Sequence, residues 1–559
     1  MLYYINEQNL QGVVINLDWE KAFDRVNWEL LIKTMKKIGF TVNIIKWIMN
    51  LYTNIKSTCL VNGHFTKTFN IQRGIRQGCP LSMIVYVIFQ ESLYQALEKC
   101  SRIIPPEIRG TQIKILGYAD DTTSFIRSDE GILEFFKIIK MFELATNSRL
   151  NIHKTKFFGH GSWRNRTIWP IKNVKTEVDY FKTLGIIFSN DYNKAVEITW
   201  NNIYNKICNR IKLIKMRRYT LYQKGCLVNS ILLSKVWYTA HVYPLTMEVT
   251  KRINKETFRF IWNSNRDFMK REVLYNPKEN GGINLINLFT KAQSIFLSTT
   301  LKMLINSETD TLIQYYMKGK VSKYITITNS IQESRTSTVY YEYAINSLKT
   351  IHKVPNFPNV TSKEIYRELR SISQPRVENV YPMKKWNEIW KNLNFKYINI
   401  KERNIMYRFL HEILPNNKRL YEMKIKNSPN CIYCQVIDTN MHKFFYCNKI
   451  KKAAILLKKI LEHISNMKLQ YMEKLLYLEL PNVQRKAKNA MKLVVCSYVS
   501  CIWKNRENLE FIEEKFRAGV YSEKKFIMVM LKGKAKDLLC KKYCEIDLDI
   551  LSNMSIEPG

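Results

Sequence analysis

Three aspartates and one Cys/His array are the residues of this chain best suited to do chemistry. Asp18 directly follows the short apolar run Val13-Val14-Ile15-Asn16-Leu17, which reads as a strand. Asp120 and Asp121 lie between two strand-like runs within Ile113 to Ile126, at or beside a hairpin turn. A sheet that pairs these elements gathers three carboxylates at one edge, which makes a site for hard divalent cations. Phosphoryl transfer onto a hydroxyl needs such a cluster, because two cations about 3.5 to 4 Å apart stabilise the attacking oxygen, the leaving oxygen and the charge between them. Taken singly, each acid also suits a turn, where aspartate bonds its own backbone.

Cys431, Cys434, His442 and Cys447 form a C-x2-C-x7-H-x4-C array. Thiolates and imidazole are borderline-soft ligands, and four together make a closed, structural zinc site. Tyr433, Phe444, Phe445 and Tyr446 interleave with Lys443 and Lys451, a composition that suits either base stacking or a small core around the metal. The other cysteines are scattered, which excludes a disulfide framework and points to a reducing compartment.

The elements that must position these groups follow from periodicity. Trp28, Leu31, Ile32, Met35 and Ile38 recur at helical spacing, with Asn27 placed to cap the start and Gly39 the end. From residue 190 the pattern is helical, and Trp200, Ile203, Ile207, Ile211 and Ile214 make one apolar stripe. Residues 300 to 380 are rich in Ser, Thr and Asn and read as weakly ordered connections, whereas the chain past Cys447 is amphipathic and helical again. No internal repeat is evident. The longest apolar candidate, Met83 to Phe89, reads as a buried core element and is far short of the roughly 20 residues that cross a bilayer. The N-terminal residues carry no secretory pattern.

At 559 residues the chain holds several folded units, and its 88 Lys and Arg against 48 Asp and Glu give a formal charge of +40. A polyanionic partner, most simply nucleic acid, follows from that balance.

The words around the aspartates carry a resemblance. Asn16-Leu17-Asp18-Trp19-Glu20-Lys21-Ala22-Phe23-Asp24, Arg73-Gly74-Ile75-Arg76-Gln77-Gly78-Cys79-Pro80-Leu81-Ser82 and Tyr118-Ala119-Asp120-Asp121 stand in the order of the palm motifs of reverse transcriptases. Leu150-Asn151-Ile152-His153-Lys154-Thr155-Lys156 resembles the fourth palm motif, and Tyr180-Phe181-Lys182-Thr183-Leu184-Gly185 the primer grip, so the resemblance covers residues 12 to 190. Gln77-Gly78-Cys79-Pro80-Leu81-Ser82 is most similar to the LINE-like, non-LTR retrotransposon branch; retroviral enzymes and group II intron maturases match less well. Phe260-Ile261-Trp262 through Gly281-Gly282-Ile283 resembles the post-thumb region of that branch. Trp386 to Cys447, including Trp390, Leu410-His411, Leu414-Pro415 and Asn430, resembles its zinc-binding region.

The resemblance implies an α+β fold: a right-hand polymerase palm of antiparallel sheet and helices, then a helical thumb and a mostly helical C-terminal region with a small zinc module. It divides the chain into a palm over 1–190 with the fingers largely missing, thumb and post-thumb over 191–300, a connecting region over 301–385, the zinc region over 386–450 and a helical tail over 451–559. Asp18, Asp120 and Asp121 become ligands of two magnesium ions, with the carbonyl of Trp19 beside them. Phe23 becomes the gate that crowds a ribose 2′-hydroxyl, and Arg73, Gln77, Gly78 and Tyr118 line the nucleotide and template pocket. Lys154 resembles the lysine that protonates leaving pyrophosphate, a solvated surface lysine being the other reading. Phe181, Lys182, Leu184 and Gly185 become the primer grip, and Cys431, Cys434, His442 and Cys447 hold one zinc.

The implied activity is RNA-directed DNA synthesis, with RNA template, DNA primer or target DNA and deoxynucleoside triphosphates as partners, no membrane, and a nuclear and cytoplasmic ribonucleoprotein setting inside the cell. A catalytically silent nucleic-acid-binding remnant is the alternative; a two-metal nuclease would not need the Gln77-Gly78 word or a sugar gate. No endonuclease is recognised in the chain, so that partner is expected to be missing from it. With Asp18 so near the start, the isolated chain is expected to polymerise weakly, Lys21, Arg25 and Arg73 substituting only in part.

Overall fold

The computed structural model of the chain describes residues 5, 9–108, 111–305, 343 and 361–516. The chain divides into two compact units, one comprising residues 1–204, 239–245 and 292–368, the other 205–238, 246–291 and 369–559.

The first unit is built on a five-stranded sheet whose central strand is β1, Gly12–Leu17. Helices α1 (Trp28–Ile38) and α2 (Pro80–Lys99) follow it, and then the hairpin of β2 (Ile115–Tyr118) and β3 (Asp121–Ile126). Helix α3 (Asp129–Thr146) leads to β4 (Lys156–His160) and β5 (Lys175–Glu177). The order across the sheet is β5-β4-β1-β3-β2. Every pair is antiparallel except β4 with β5, which run parallel.

β1 is apolar without alternation because both its faces are covered. Val13, Ile15 and Leu17 pack with Met35, Tyr86, Phe89 and Phe135, whereas Val14 packs with Phe125, Phe158 and Phe181.

α1 begins and ends where the sequence places its caps. The Asn27 side chain accepts the Leu30 N–H at 2.9 Å, and Gly39, at φ 100°, sends its N–H back to the Met35 and Lys36 carbonyls. α2 corrects the reading of Met83 to Phe89 as a buried element. Val85, Tyr86 and Phe89 are buried, but Ile84 is 60% exposed, and Met83 and Val87 are exposed as well. An α-helix turns a continuous apolar run around its whole circumference, so only the side at 3.6-residue spacing reaches the core.

The described residues of the second unit are mainly helical. Helix α4 (Tyr192–Ile214) begins in the first unit and ends in the second, and it carries the sequence stripe, with Trp200, Ile203, Ile207 and Ile211 buried. Then come α5 (Leu221–Leu227), α6 (Met247–Trp262), α7 (Trp386–Leu393), α8 (Ile400–Leu410), α9 (Lys451–Ser465) and α10 (Arg485–Lys504). Lys224 on α5 is buried and donates to the carbonyls of Phe260 and Ile261 and to Asn263 Oδ1, which satisfies the free end of α6. Burial holds its ammonium down to about 8. Gly281 sits at φ 74°, and a Cβ there would lie 2.9 Å from the Trp390 ring. Its carbonyl accepts from Tyr407 Oη at 3.0 Å and from His411 Nε2 at 2.8 Å, and His411 stacks on Trp390. Burial pushes His411 down to about 4, so it is a neutral donor at physiological pH.

Of the connecting region expected over 301–385, residues 306–342 and 344–360 lie outside the described residues. Among the described residues no helix is long and apolar enough to cross a membrane.

Candidate active site and candidate metal centre

Sheet register gathers the aspartates. β1 and β3 pair from Val13 with Ile126 to Leu17 with Thr122, so one further step sets Asp18 opposite Asp121. Antiparallel neighbours of this kind have Cβ atoms about 4.5 to 5.5 Å apart. β2 and β3 pair Tyr118 with Asp121, which leaves Ala119 and Asp120 as a two-residue turn with Ala119 at φ 54°. Asp18 is half-buried, and Asp120 and Asp121 are exposed. Burial, and then the negative charges of Asp120 and Asp18, hold the Asp121 carboxyl above the usual carboxylate range.

The backbone of Asp18 is fixed from a distant segment. The Asn151 N–H donates to the Asp18 carbonyl at 2.8 Å, the Glu20 N–H to the Arg149 carbonyl at 2.9 Å, and Trp19 bridges Leu150. Asn151 also takes the Lys154 N–H on its own carbonyl and side chain, and the Lys154 side chain is exposed. Phe23 is half-buried and stacks on Tyr86 with ring centroids 4.8 Å apart. The Tyr86 and Tyr94 hydroxyls are held up by burial, with the Asp120 charge adding to it, so both tyrosines border the acid cluster.

The words that hold Phe23 and Gln77 are stitched together. The Ile75 N–H donates to the Phe23 carbonyl, the Gly74 N–H to the Val26 carbonyl, and Trp28 Nε1 to the Gly74 carbonyl at 2.8 Å. Gly74 is buried at φ 92°, and a Cβ would lie 2.8 Å from the Asp24 carbonyl oxygen, so only glycine fits. Arg73, Gln77 and Gly78 are exposed on the loop that follows, and Tyr118 is exposed beside the acid turn. Arg25 is committed to Glu20 at 3.1 Å and to the Asn147 carbonyl, and Lys21 is exposed. The sequence reading did not single out Gly74 or Asn151 as positioning residues; a glycine and an asparagine inside the motif words were the only signal.

Phe181, Lys182, Leu184 and Gly185 fall on a separate hairpin of β6 (Phe181–Thr183) and β7 (Ile186–Phe188). Leu184 at φ 46° and Gly185 at φ 80° make its tight turn. Phe181 is buried against Phe158 and Phe188, whereas Lys182 is exposed.

In the second unit Cys431, Cys434, His442 and Cys447 bring one ligand atom each within 4.8 Å of the others. A short hairpin, with Asn430 bridged to Ile437 and Gln435 at φ 58°, presents the first two cysteines; a turn over His442–Tyr446 presents the last two ligands. The Tyr433 and Asn448 N–H groups point at Cys431 Sγ and Cys434 Sγ, as donors do around thiolates. Burial, and then the neighbouring Cys434 and Cys431, push the Cys447 thiol up to about 12. His442 Nε2 is buried without a hydrogen-bond partner among the described residues. Four soft donors around an unsatisfied imidazole nitrogen fit zinc.

The aromatics around this centre divide in role. Phe444 is fully buried against Phe409, and Lys443 reaches the Pro415 carbonyl and Asp438, so both serve the local core. Tyr433 and Tyr446 stay exposed.

Two family models match the chain. Residues 2–188 match the reverse transcriptase (RNA-dependent DNA polymerase) model, and residues 361–453 match the model described as zinc-binding in reverse transcriptase. The chain is 22% identical over 291 residues to the Transposon TX1 uncharacterized 149 kDa protein of Xenopus laevis, covering 51% of this chain and 22% of that protein. It is 30% identical over 124 residues to the Pol polyprotein of retrotransposable element R2 of Popillia japonica, covering 21% of this chain and 20% of that protein. It is 24% identical over 133 residues to the Pol polyprotein of element R2DM of Drosophila melanogaster, covering 22% of this chain and 12% of that protein. The chain therefore spans about a fifth of the length of the first curated relatives it matches. Fold and acid words together define a reverse transcriptase palm. Residues 2–188 are a reverse transcriptase domain, and the chain is similar to proteins of non-LTR retrotransposons.

Proposed function

We propose that this chain is an RNA-directed DNA polymerase that extends a DNA primer on an RNA template. The observation that carries the reading is the sheet register that sets Asp18 beside Asp121 and the Asp120 turn. The influences on the Asp121 carboxyl are burial and two like charges, an arrangement that a bound cation relieves, and a donor set of carboxylate oxygens suits magnesium. Two magnesium ions held by Asp18, Asp120 and Asp121, with the Trp19 carbonyl beside them, would activate the primer 3′-hydroxyl and neutralise the leaving pyrophosphate.

The remaining work falls to the chain's own groups. Phe23, its ring held against Tyr86, bars a ribose 2′-hydroxyl and selects deoxynucleotides. Gln77 and Gly78 let backbone approach the nucleotide closely, with Arg73 and Tyr118 at the rim. Lys154 supplies the proton to departing pyrophosphate. Lys182 and the Leu184-Gly185 turn hold the primer strand. Zinc at Cys431, Cys434, His442 and Cys447 is structural. The target-nicking endonuclease is a separate region or protein, and the setting is the nucleus and a cytoplasmic ribonucleoprotein.

Primer extension by the full chain on an RNA template with magnesium tests the reading. Deoxynucleotides should be incorporated, and Phe23→Val should admit ribonucleotides. RNA binding without any incorporation by the unaltered chain, at every magnesium and primer condition, would leave a silent binding protein instead.

A further inference from the structure

From α1 into α2 the chain carries a second feature that the active-site reading uses only at Arg73. From Glu29 to Glu91 there are eight Lys and Arg and no intervening Asp or Glu: Lys33, Lys36, Lys37, Lys46, Lys56, Lys67, Arg73 and Arg76, all exposed. Within this stretch residues 56–70 form a two-stranded ribbon. Lys56 pairs with Asn70 and Ser57 with Phe69, Leu60 pairs with Phe65 and Val61 with His64, and Asn62-Gly63 makes the turn. Thr66 ties the two halves, donating its N–H to the Cys59 carbonyl and receiving the Cys59 N–H on Oγ1.

Cross-strand partners share a face, so Leu60 with Phe65 and Val61 with His64 mark opposite faces of the ribbon. Both are in solvent: Phe65 is 74% exposed, Leu60 62%, Val61 56% and Phe69 50%. A two-stranded ribbon bare on both sides is marginal in water, and exposed apolar rings in a cationic field ask for a partner. A protein partner would have to offer an acidic surface with apolar pockets. A single-stranded nucleic acid offers phosphates and flat bases in one molecule, whereas a duplex hides its bases.

We propose that the 56–70 ribbon is a stacking platform for unpaired RNA, with Phe65 and Phe69 against bases and Lys56 and Lys67 against phosphates. The base of the ribbon is held by the Ile71 N–H on the Ile55 carbonyl, and the chain runs from there straight into Arg73, Gly74 and Gln77. An RNA strand on the ribbon is therefore led toward the loop that is hydrogen-bonded to the Phe23 to Trp28 segment. Its identity as template rests on the polymerase reading; the platform itself does not.

The test is binding of fluorescent oligoadenylate and of a blunt RNA duplex to the full chain carrying Asp120→Asn and Asp121→Asn, so that the result is independent of catalysis. Adding Phe65→Ala and Phe69→Ala should weaken the single strand about tenfold or more and leave the duplex within about twofold. Lys56→Gln with Lys67→Gln should lower the salt dependence of single-strand binding by about 1.4 in the log-log slope, and this pair keeps the rings. Tyr471→Ala, at an exposed aromatic in the second unit, is the control and should change nothing. Unchanged single-strand binding in both ribbon variants overturns the proposal, as does equal loss on strand and duplex. Full affinity in Phe65→Leu with Phe69→Leu also overturns it, since a merely greasy surface would then serve a protein partner. If the ribbon variants behave as expected but the unaltered chain never incorporates nucleotides, the platform stands and the polymerase reading falls.

Discussion

The acid cluster at the sheet edge and the thiol cluster of the second unit are both groups of gathered ligands, and they differ in almost every physical respect. Asp18, Asp120 and Asp121 come from the end of one strand, a turn and the start of another, are largely in water, and the charges of Asp18 and Asp120 add to burial in raising the proton affinity of Asp121. Cys431, Cys434, His442 and Cys447 come from one short stretch of chain; Cys431, His442 and Cys447 are buried, and local N–H groups already meet the Cys431 and Cys434 sulfurs. An open set of hard oxygen donors leaves coordination positions for a substrate, which catalysis requires. A closed set of soft donors leaves none, and its binding free energy goes into the fold. Polarity, burial and sequence span thus separate a ligand set suited to a reactive centre from one suited to a structural centre.

The contrast is broken most decisively at the acids. Asp120→Asn with Asp121→Asn should lower DNA synthesis about a thousandfold or more, several kcal/mol of transition-state stabilisation, while RNA affinity changes little. Single-turnover primer extension and equilibrium binding on the same preparation check both halves, and residual synthesis above about a tenth would remove the acids from the chemistry.

At the thiol cluster the expected loss is of structure. Cys434→Ser, or a chelator, should remove one zinc per chain and raise hydrogen exchange in residues around Cys431 to Cys447 by an amount equivalent to several kcal/mol, leaving β1, β3 and β4 protected. Metal analysis together with exchange mapping reads this out. Uniform loss of protection in both units would make the centre more than a local staple.

Gly74→Ala sharpens the comparison from the positioning side. Its φ of 92° and the nearby Asp24 carbonyl predict a destabilisation of about 2 kcal/mol or more, with a loss of activity as the Gln77 loop shifts. Gly78→Ala, at φ 82° but with open space around it, should destabilise by only about 1 kcal/mol. Denaturant unfolding separates the two, and equal effects would mean that the stitching between residues 23–28 and 73–75 is dispensable.

The smallest effect has the opposite sign. A carboxyl whose folded pKa is raised binds its proton more tightly in the native state, so stability falls as pH rises from the ordinary carboxylate range through the folded value. Without divalent cation at neutral pH, Asp121→Asn should therefore stabilise the first unit, by less than about 1 kcal/mol because the group is mostly in water. Magnesium should reverse the order, favouring the native acid. A destabilised Asn variant in chelator would contradict the mutual repulsion.

What the sequence disclosed follows the range of the forces involved. The strand before Asp18, the caps at Asn27 and Gly39 and the turn at Asp120 are local matters of periodicity and backbone chemistry, and all are found where the residues place them. Met83 to Phe89 could not be resolved into buried and exposed sides, because an all-apolar run carries no phase. The bond from Asn151 to Asp18 and the convergence of Gly281, Trp390, Tyr407 and His411 join residues more than about a hundred positions apart, and no spacing encodes them. The division of labour between buried Phe444 and exposed Tyr446 was equally invisible, since both sit in one aromatic run.

The central place of β1 in its sheet has a consequence for synthesis of the protein. Its two neighbours, β3 and β4, are both made roughly a hundred residues or more after it. At ordinary elongation rates of about 5 to 20 residues per second, the strand leaves the ribosome some 5 to 20 seconds before its first partner exists. Through that interval β1 has two unpaired edges, and the face of Val14 lacks Phe125, Phe158 and Phe181, which are all still to come. Nascent chains are then at their most adhesive, and a crowded polysome, or a chaperone that shields the emerging strand, governs how much of the polymerase domain ever closes.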